Sequence, residues 1–262
     1  MSIIFLFSGQ SRSFPFSHNT NKSSDILKSY NNFIFTDKFK SMYNYKIYFT
    51  TDDLHLENTI SYFNSSNIGN IHLLNTGFYL KQPINKTENI KKYLDIYNNK
   101  NWLNYQKYDN SIHQHYKILD CYNLFNDDII NGEIDIKNCK YIIRLRFDTV
   151  FTVNILDILS FFKNKPKLEI VMCWDFFAIG KPEIMKCYCN GLDNNYGNYN
   201  YDTDISHLKH IPVMNDYLTK DKIVWKYAPE RQLFEMIFEY CNKKKININD
   251  TIESIYCCYI QR

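Results

Sequence analysis

Glycine and proline are scarce in this sequence, with 7 glycines and 6 prolines among 262 residues. No stretch matches GxGxxG, the pattern that brings a tight glycine turn against a pyrophosphate, and the GK[ST] element of a phosphate-binding loop is also missing. These absences argue against a typical dinucleotide-binding protein and against a P-loop nucleotide hydrolase.

Long apolar runs, strong net charge and paired cysteines are missing as well. The apolar segment 3–7 has no basic residues before it and is too short for a signal peptide or a membrane span. The net charge is only +3, and no dense Lys/Arg patch occurs, so we expect no nucleic-acid partner. The eight cysteines form no pair of CxxC motifs and read as buried, reduced thiols. We therefore expect a cytoplasmic protein without a transmembrane segment.

What is present is a regular alternation of strand and helix patterns, within a chain that is 45% hydrophobic. Strands are predicted at 3–7, 46–49 and 71–74, with a helical pattern over 22–42, and this order is typical of a parallel sheet covered by helices. We predict one α/β domain over 1–262, with a mostly parallel central sheet, a nucleotide-binding part at about 1–150 and an acceptor-side part at about 151–262. Further helices are predicted at 111–125, 182–189 and 230–243, and further strands at 141–147, 168–173, 176–179 and near the end of the chain.

The segment 141–151 is an apolar run interrupted by Arg144, Arg146 and Asp148. Side chains alternate between the two faces of a strand, so these three charged groups should share one face. Buried charges are costly unless they meet a ligand, a metal or each other. We therefore expect Arg144 and Arg146 to hold phosphates and Asp148 to bind a metal ion or a phosphate-bound water. The alternative is an internal Arg–Asp pair at a sheet edge.

Two polar segments follow predicted strands, where ligands of parallel sheets gather. Ser8, Gly9, Gln10 and Arg12 follow the first strand and can reach a nucleotide, or they form an ordinary polar turn. The cluster Thr51-Asp52-Asp53 follows the second strand and either contacts ribose or base or caps the next helix.

Two further carboxylates are candidates for catalysis or for binding sugar and acceptor hydroxyls. Asp175 stands inside an aromatic run, where an unpaired carboxylate is expensive; it is either a general base or a strand-break residue bonded to backbone. Glu230 lies in the first turn of a predicted helix, where the helix dipole alone would stabilise it. Lys117 could reach a phosphate or lie on a solvated helix face.

Two other patterns rank lower as metal sites. Asp202-Thr203-Asp204 spells a DxD motif, but it follows a Tyr/Asn-rich tract rather than a buried strand. His113 and His115 lie two residues apart on a predicted helix and face different directions, which makes them poor joint ligands.

Taken in order, these motifs resemble those of a family of small GT-A-type glycosyltransferases of bacteria and large DNA viruses. The resemblance covers nearly the whole chain and includes SGQxR at 8–12, the Thr/Asp cluster at 50–53, Tyr116-Lys117, RxRxD at 144–148, DFFxxG at 175–180 and Pro229-Glu230. It implies a nucleotide-sugar donor, a glycan or other hydroxyl acceptor, a hexosyl-type transfer used in polysaccharide biosynthesis, and a divalent cation such as Mn²⁺ or Mg²⁺. Arg146 replaces the first aspartate of the usual Asp-x-Asp metal motif, which puts the metal in question.

Two other functions compete with sugar transfer. A nucleotidyltransferase shares the need for phosphate-binding groups, but it normally has a glycine-rich first loop, and this chain has only Gly9 there. A catalytically inactive nucleotide-sugar-binding module is the other alternative.

Overall fold

A computed structural model describes residues 2–9, 26–50, 108–190 and 229–260 of the chain. Its strands are β1 Ser2–Ser8, β2 Asn44–Thr50, β3 Cys139–Leu145, β4 Thr149–Phe151, β5 Ile170–Cys173, β6 Phe177–Gly180, β7 Ile252–Ser254 and β8 Cys258–Ile260. Its α-helices are α1 Asp37–Met42, α2 Tyr108–Ile130, α3 Ile155–Asn164, α4 Pro182–Cys189, α5 Pro229–Lys244 and α6 Ile248–Thr251.

Six strands form the central sheet in the order β2-β1-β3-β6-β5-β7, and β4 pairs with β8 in a separate two-stranded sheet. The pairs β1–β2, β1–β3 and β5–β7 are parallel, whereas β6 runs antiparallel to both of its neighbours. The predicted α/β architecture with a mostly parallel central sheet is therefore confirmed.

The apolar run of β1 fits its interior position in the sheet, because a strand covered on both faces must be apolar at every position. Ile4 and Leu6 contribute to a core layer that includes residues of α2, α4 and α5. Ile3, Phe5 and Phe7 contribute to the opposite layer, which includes residues of α1 and α3 and a π-helical segment at Tyr30–Ile34.

The sheet brings the ends of four strands to one edge. The register pairs Ser8 with Thr50 and Phe7 with Leu145, so β1, β2 and β3 end side by side. β5 runs parallel to β3 through the intervening β6, and Phe177 lies opposite both Leu145 and Cys173. The residues that follow these strands therefore emerge at a common edge, where ligands of parallel sheets bind.

Several predicted boundaries differ from the observed ones. The helix predicted at 22–42 is interrupted after the π-helical segment, and Thr36 caps a new helix by accepting a hydrogen bond from Phe39 N at 3.1 Å. The strand predicted at 141–147 ends at Leu145, and 147–148 form a turn into β4. The helix predicted at 111–125 extends over Tyr108–Ile130.

Among the described residues, no helix has the length and apolar character needed to cross a membrane. The strand predicted at 71–74 lies outside the described ranges.

Candidate functional site

Arg146 is the centre of a charged cluster at the common strand edge. Its Nε and Nη2 donate to the two carboxylate oxygens of Asp148 at 2.9 and 2.8 Å, and its Nη1 donates to Asp175 Oδ2 at 3.1 Å. The guanidinium carbon lies 5.7 Å from the ring centroid of Phe176. One arginine thus holds two carboxylates in a fixed geometry, and the bidentate pairing makes this geometry specific.

Two hydrogen bonds to its backbone hold Arg146 in place. Tyr30 Oη donates to the Arg146 carbonyl at 2.8 Å, and Arg146 N donates to the Phe176 carbonyl at 3.1 Å. Burial acts to lower the pKa of Arg146, but the hydrogen bonds and negative charges of Asp148 and Asp175 outweigh burial, and its pKa is raised. Arg146 is therefore permanently charged, and 23% of its side chain remains exposed.

Gly9 brings the end of β1 against this arginine. Its φ is +135°, a region that side chains disfavour, and a Cβ placed there would lie 3.9 Å from Arg146 Cγ. Gly9 N donates to the Thr50 carbonyl at 3.2 Å, which joins the ends of β1 and β2. The glycine expected from the sequence to approach a ligand thus borders the charged cluster.

Arg144 has a different environment from the one we expected. It is fully buried, and its Nε donates to Ser8 Oγ at 3.1 Å while its Nη1 donates to the Asp175 carbonyl. A guanidinium without solvent exposure does not reach a phosphate in this conformation, so the expectation of direct phosphate contact by Arg144 is corrected. Through these two hydrogen bonds, Arg144 instead links the end of β1 to the turn that carries Asp175.

Asp175 lies in the turn between β5 and β6 and is almost fully buried. Its Oδ2 accepts hydrogen bonds from Arg146 and from Gln114 Nε2, whereas Oδ1 has no hydrogen-bond partner among the described residues. Trp174, in the same turn, has a φ of 53°, which is strained for a bulky residue. Asp175 is therefore held mainly by side chains, and not by backbone as in our alternative interpretation.

Helix α2 contributes Gln114 and His115 to this cluster, a role that no sequence motif indicates. Gln114 contacts Asp175 directly, and His115 is buried close enough to Arg144 and Asp175 to be affected by both charges. Burial and the positive charge of Arg144 lower the pKa of His115 to about 3, and Asp175 opposes this only in part. Their helical spacing gave no signal for these roles, because the turn at Asp175 meets α2 only in the folded chain.

The remaining predicted residues have different outcomes. Lys117 is buried, so the alternative of a solvated helix face is wrong. Glu230 lies at the start of α5, within the described backbone. The other predicted site residues lie outside the described ranges: Gln10, Arg12, Thr51, Asp52 and Asp53, together with the DxD residues Asp202 and Asp204.

The described carboxylates do not fit a divalent-cation site. Both oxygens of Asp148 accept hydrogen bonds from Arg146, so an ion at Asp148 would have to displace a guanidinium that also carries positive charge. Among the described residues, no group of three or more Asp, Glu or His side chains lies close enough to hold a metal. Arg146 supplies a partly exposed positive charge at this edge.

Protonation of His115 is expected to destabilise the fold at acidic pH. Its pKa is about 3 in the folded protein and 6.5 ordinarily, so the unfolded chain binds this proton first as the pH falls. The stabilisation is complete above 6.5 and is lost as the pH drops toward 3, with a slope of up to about 1.4 kcal/mol per pH unit. Urea unfolding between pH 6.5 and 3 measures this effect: the free energy of unfolding should fall more steeply with falling pH in the wild type than in His115→Gln. Parallel profiles for the two proteins would contradict the buried, neutral assignment.

The fold and the site together define an α/β protein with an arginine-centred carboxylate cluster at the carboxyl ends of parallel strands. No protein-family model matches the sequence, and no curated protein matches it either. Among solved structures, the chain is similar to the apo crystal structure of mouse xyloside xylosyltransferase 1, with a TM-score of 0.43 and 11% sequence identity. The match covers 98% of this chain and 85% of that one. A likeness at this level assigns neither a donor nor an acceptor.

Proposed function

We propose that this protein is a glycosyltransferase that moves a sugar, of hexosyl type, from a UDP- or GDP-linked donor to a hydroxyl group of a glycan or similar acceptor. The observation that carries the proposal is the placement of Arg146 between Asp148 and Asp175 at the edge where β1, β2 and β3 end. The resemblance of the ordered motifs to small GT-A-type glycosyltransferases supports the same reaction.

Arg146 is suited to a diphosphate because it is fixed and still partly exposed. A guanidinium has five N–H donors, and its contacts with the described residues use three of them. The other two are available to a phosphate, and the 23% exposure of the side chain leaves a path to them. A preorganised cation stabilises the negative charge that develops on a departing nucleoside diphosphate without further reorganisation.

The nucleotide would lie beyond the ends of β1 and β2. Gly9 lets the backbone approach the donor next to Arg146, and Gln10 and Arg12 follow it in the chain. Thr51, Asp52 and Asp53 directly follow β2, whose end is joined to β1 through Gly9 and Thr50. In our proposal these residues hold the base, ribose and phosphates.

Asp175 would face the sugar or the acceptor hydroxyl. Its Oδ2 is fixed by Arg146 and Gln114, whereas its buried Oδ1 has no partner among the described residues. In our proposal the turn at 174–176 moves when substrate binds, so that a substrate hydroxyl reaches this oxygen. Glu230, at the N-terminus of α5, is the second carboxylate that we assign to the acceptor side. Asp148 keeps Arg146 oriented toward the phosphates. No step in this proposal passes through a metal ion, because the described carboxylates do not fit one.

The proposal is tested by measuring product formation and donor binding with a panel of UDP- and GDP-sugars. Sugar transfer or donor hydrolysis releases nucleoside diphosphate, whereas a nucleotidyltransferase would release pyrophosphate from a nucleoside triphosphate. A bound donor raises the apparent melting temperature by mass action. Donor-dependent stabilisation without any released nucleotide would instead identify an inactive binding module, and the absence of both effects would overturn the proposal.

Asp148→Ala should abolish most of the donor turnover while the protein remains folded. Without Asp148, the guanidinium of Arg146 loses its bidentate partner, and a loss of about a hundredfold is the usual cost of misplacing a positioned group. The matched control is Asp127→Ala, an exposed aspartate on α2. Steady-state turnover and circular dichroism of both variants check the result. Normal turnover by Asp148→Ala would make this assignment wrong.

A further inference from the structure

Three cysteines meet next to the turn that carries Asp175. The Sγ atoms of Cys173, Cys257 and Cys258 all lie within 4.8 Å of one another, and all three are free cysteines. Cys173 ends β5, whereas Cys258 begins β8, 85 residues later in the chain. Within the described ranges, this is the one group of three or more His, Cys, Asp or Glu side chains close enough to share a metal ion.

The backbone around this cluster is held in place by hydrogen bonds. Successive side chains of an extended strand point to opposite faces, so adjacent cysteines in a regular strand would not meet at one point. Here Cys257 precedes β8, and its carbonyl accepts hydrogen bonds from Thr152 N at 2.9 Å and Thr152 Oγ1 at 3.2 Å. Cys258 pairs with Phe151 in the β4–β8 ladder, and its carbonyl accepts a contact from Cys173 Sγ at 3.6 Å. Despite their adjacency in the chain, both Sγ atoms lie within 4.8 Å of Cys173 Sγ.

We propose that Cys173, Cys257 and Cys258 form a three-thiolate binding site for Zn²⁺. Zinc binds thiolates at about 2.3 Å in tetrahedral geometry, which places the sulfurs of one site about 3.8 Å apart. The observed separations, all within 4.8 Å, reach this geometry with small side-chain movements. Thiolates select zinc-like ions over Mg²⁺ and Ca²⁺, which prefer oxygen ligands.

Binding would exchange the thiol protons for the metal and would tie together two parts of the fold. The protons pass to solvent, and the fourth position of the ion is left for water or an added ligand. Cys258 is only half-buried and provides the route of entry. The ion would link β5, which leads into the Asp175 turn, to β8, which pairs with the strand that follows Asp148. This site is independent of the proposed sugar transfer.

The proposal is tested with the reduced, metal-free full-length chain and Co²⁺ as the probe. We expect one Co²⁺ per chain with a thiolate-to-cobalt charge-transfer absorption, and we expect Zn²⁺ to displace it. Because losing an outer-shell partner alone weakens metal sites by about 10–100-fold, Cys258→Ser should weaken binding by at least about a hundredfold. Cys187→Ser is the control: Cys187 contacts the Met236 carbonyl and packs against the opposite core layer.

A second measurement uses only the wild-type chain and does not depend on how a variant folds. Zn²⁺ should protect Cys173, Cys257 and Cys258 from alkylation by N-ethylmaleimide under partly denaturing conditions, as located by mass spectrometry of peptides. The proposal is overturned if Co²⁺ gives no thiolate absorption, if Cys258→Ser binds the metal as tightly as the wild type, or if Zn²⁺ leaves the alkylation of these cysteines unchanged. A disulfide between two of them in the protein as isolated, with no metal taken up after reduction, would also overturn it.

Discussion

Arg146→Ala is expected to lower donor turnover by about a hundred- to thousandfold, the usual cost of removing one preorganised group that stabilises developing charge. It should also lower stability, because Asp148 and the nearly buried Asp175 would lose their shared counter-charge. Breaking a buried ion pair from one side costs about 3–5 kcal/mol, and the partial exposure of Arg146 and Asp148 places this site toward the lower end. Nucleoside diphosphate release and urea unfolding measure the two effects separately.

Two companion variants separate catalysis from folding. Arg146→Lys keeps the charge but cannot donate in a bidentate manner to Asp148, so turnover should remain low while stability recovers in part. The double variant Arg146→Met/Asp175→Asn removes both the cation and the buried carboxylate of Asp175, which would otherwise be left without its counter-charge. If this double variant is stable and still turns over donor at the wild-type rate, Arg146 has no part in the reaction.

Arg144→Met is expected to lower the free energy of unfolding by about 2–5 kcal/mol. The side chain is fully buried, and its loss would leave Ser8 Oγ and the Asp175 carbonyl without their donors. Each buried polar group left unsatisfied costs about 1–3 kcal/mol. Chemical denaturation monitored by circular dichroism gives the value directly.

Replacing an exposed cation of the same strand with methionine provides the matched control. Lys140 is an exposed cation of β3, and Lys140→Met should change stability by no more than about 0.5 kcal/mol. Adding Ser8→Ala to Arg144→Met should recover part of the loss, because one unsatisfied group disappears. Equal effects of Arg144→Met and Lys140→Met would show that the buried contacts of Arg144 contribute nothing net.

The fold class could be predicted from the sequence because the relevant signals are local. The uninterrupted apolar run at 3–7 predicts a strand covered on both faces, and β1 is an interior strand of the sheet, covered on both faces. The reversed direction of β6 follows from the short connection between the strands predicted at 168–173 and 176–179, because parallel neighbours need a much longer crossover. The sequence pattern extends β3 two residues too far, because the apolar Phe147 continues the pattern although the backbone turns there.

The contacts within the site could be predicted only where both partners belong to one segment. Alternation along 144–148 points to Arg146 and Asp148, and the two side chains form the internal Arg–Asp pair that the sequence offers as the alternative to a metal site. The sequence does not distinguish the environment of Arg144 from that of Arg146, because Arg144 contacts Ser8 and the turn at Asp175, which are distant in the chain. Gln114 and the cluster of Cys173 with Cys257 were missed for a related reason, since their partners are distant in the chain.

The position of β1 between β2 and β3 has a consequence for how the chain folds during synthesis. Phe5 pairs with Ile47 of β2 on one side and with Ile143 of β3 on the other. One edge of this very apolar strand therefore stays open until β3 has left the ribosome, and such long-range pairings form slowly. An exposed apolar edge invites pairing with other chains, so folding intermediates that end before β3 should be prone to aggregation and dependent on chaperones.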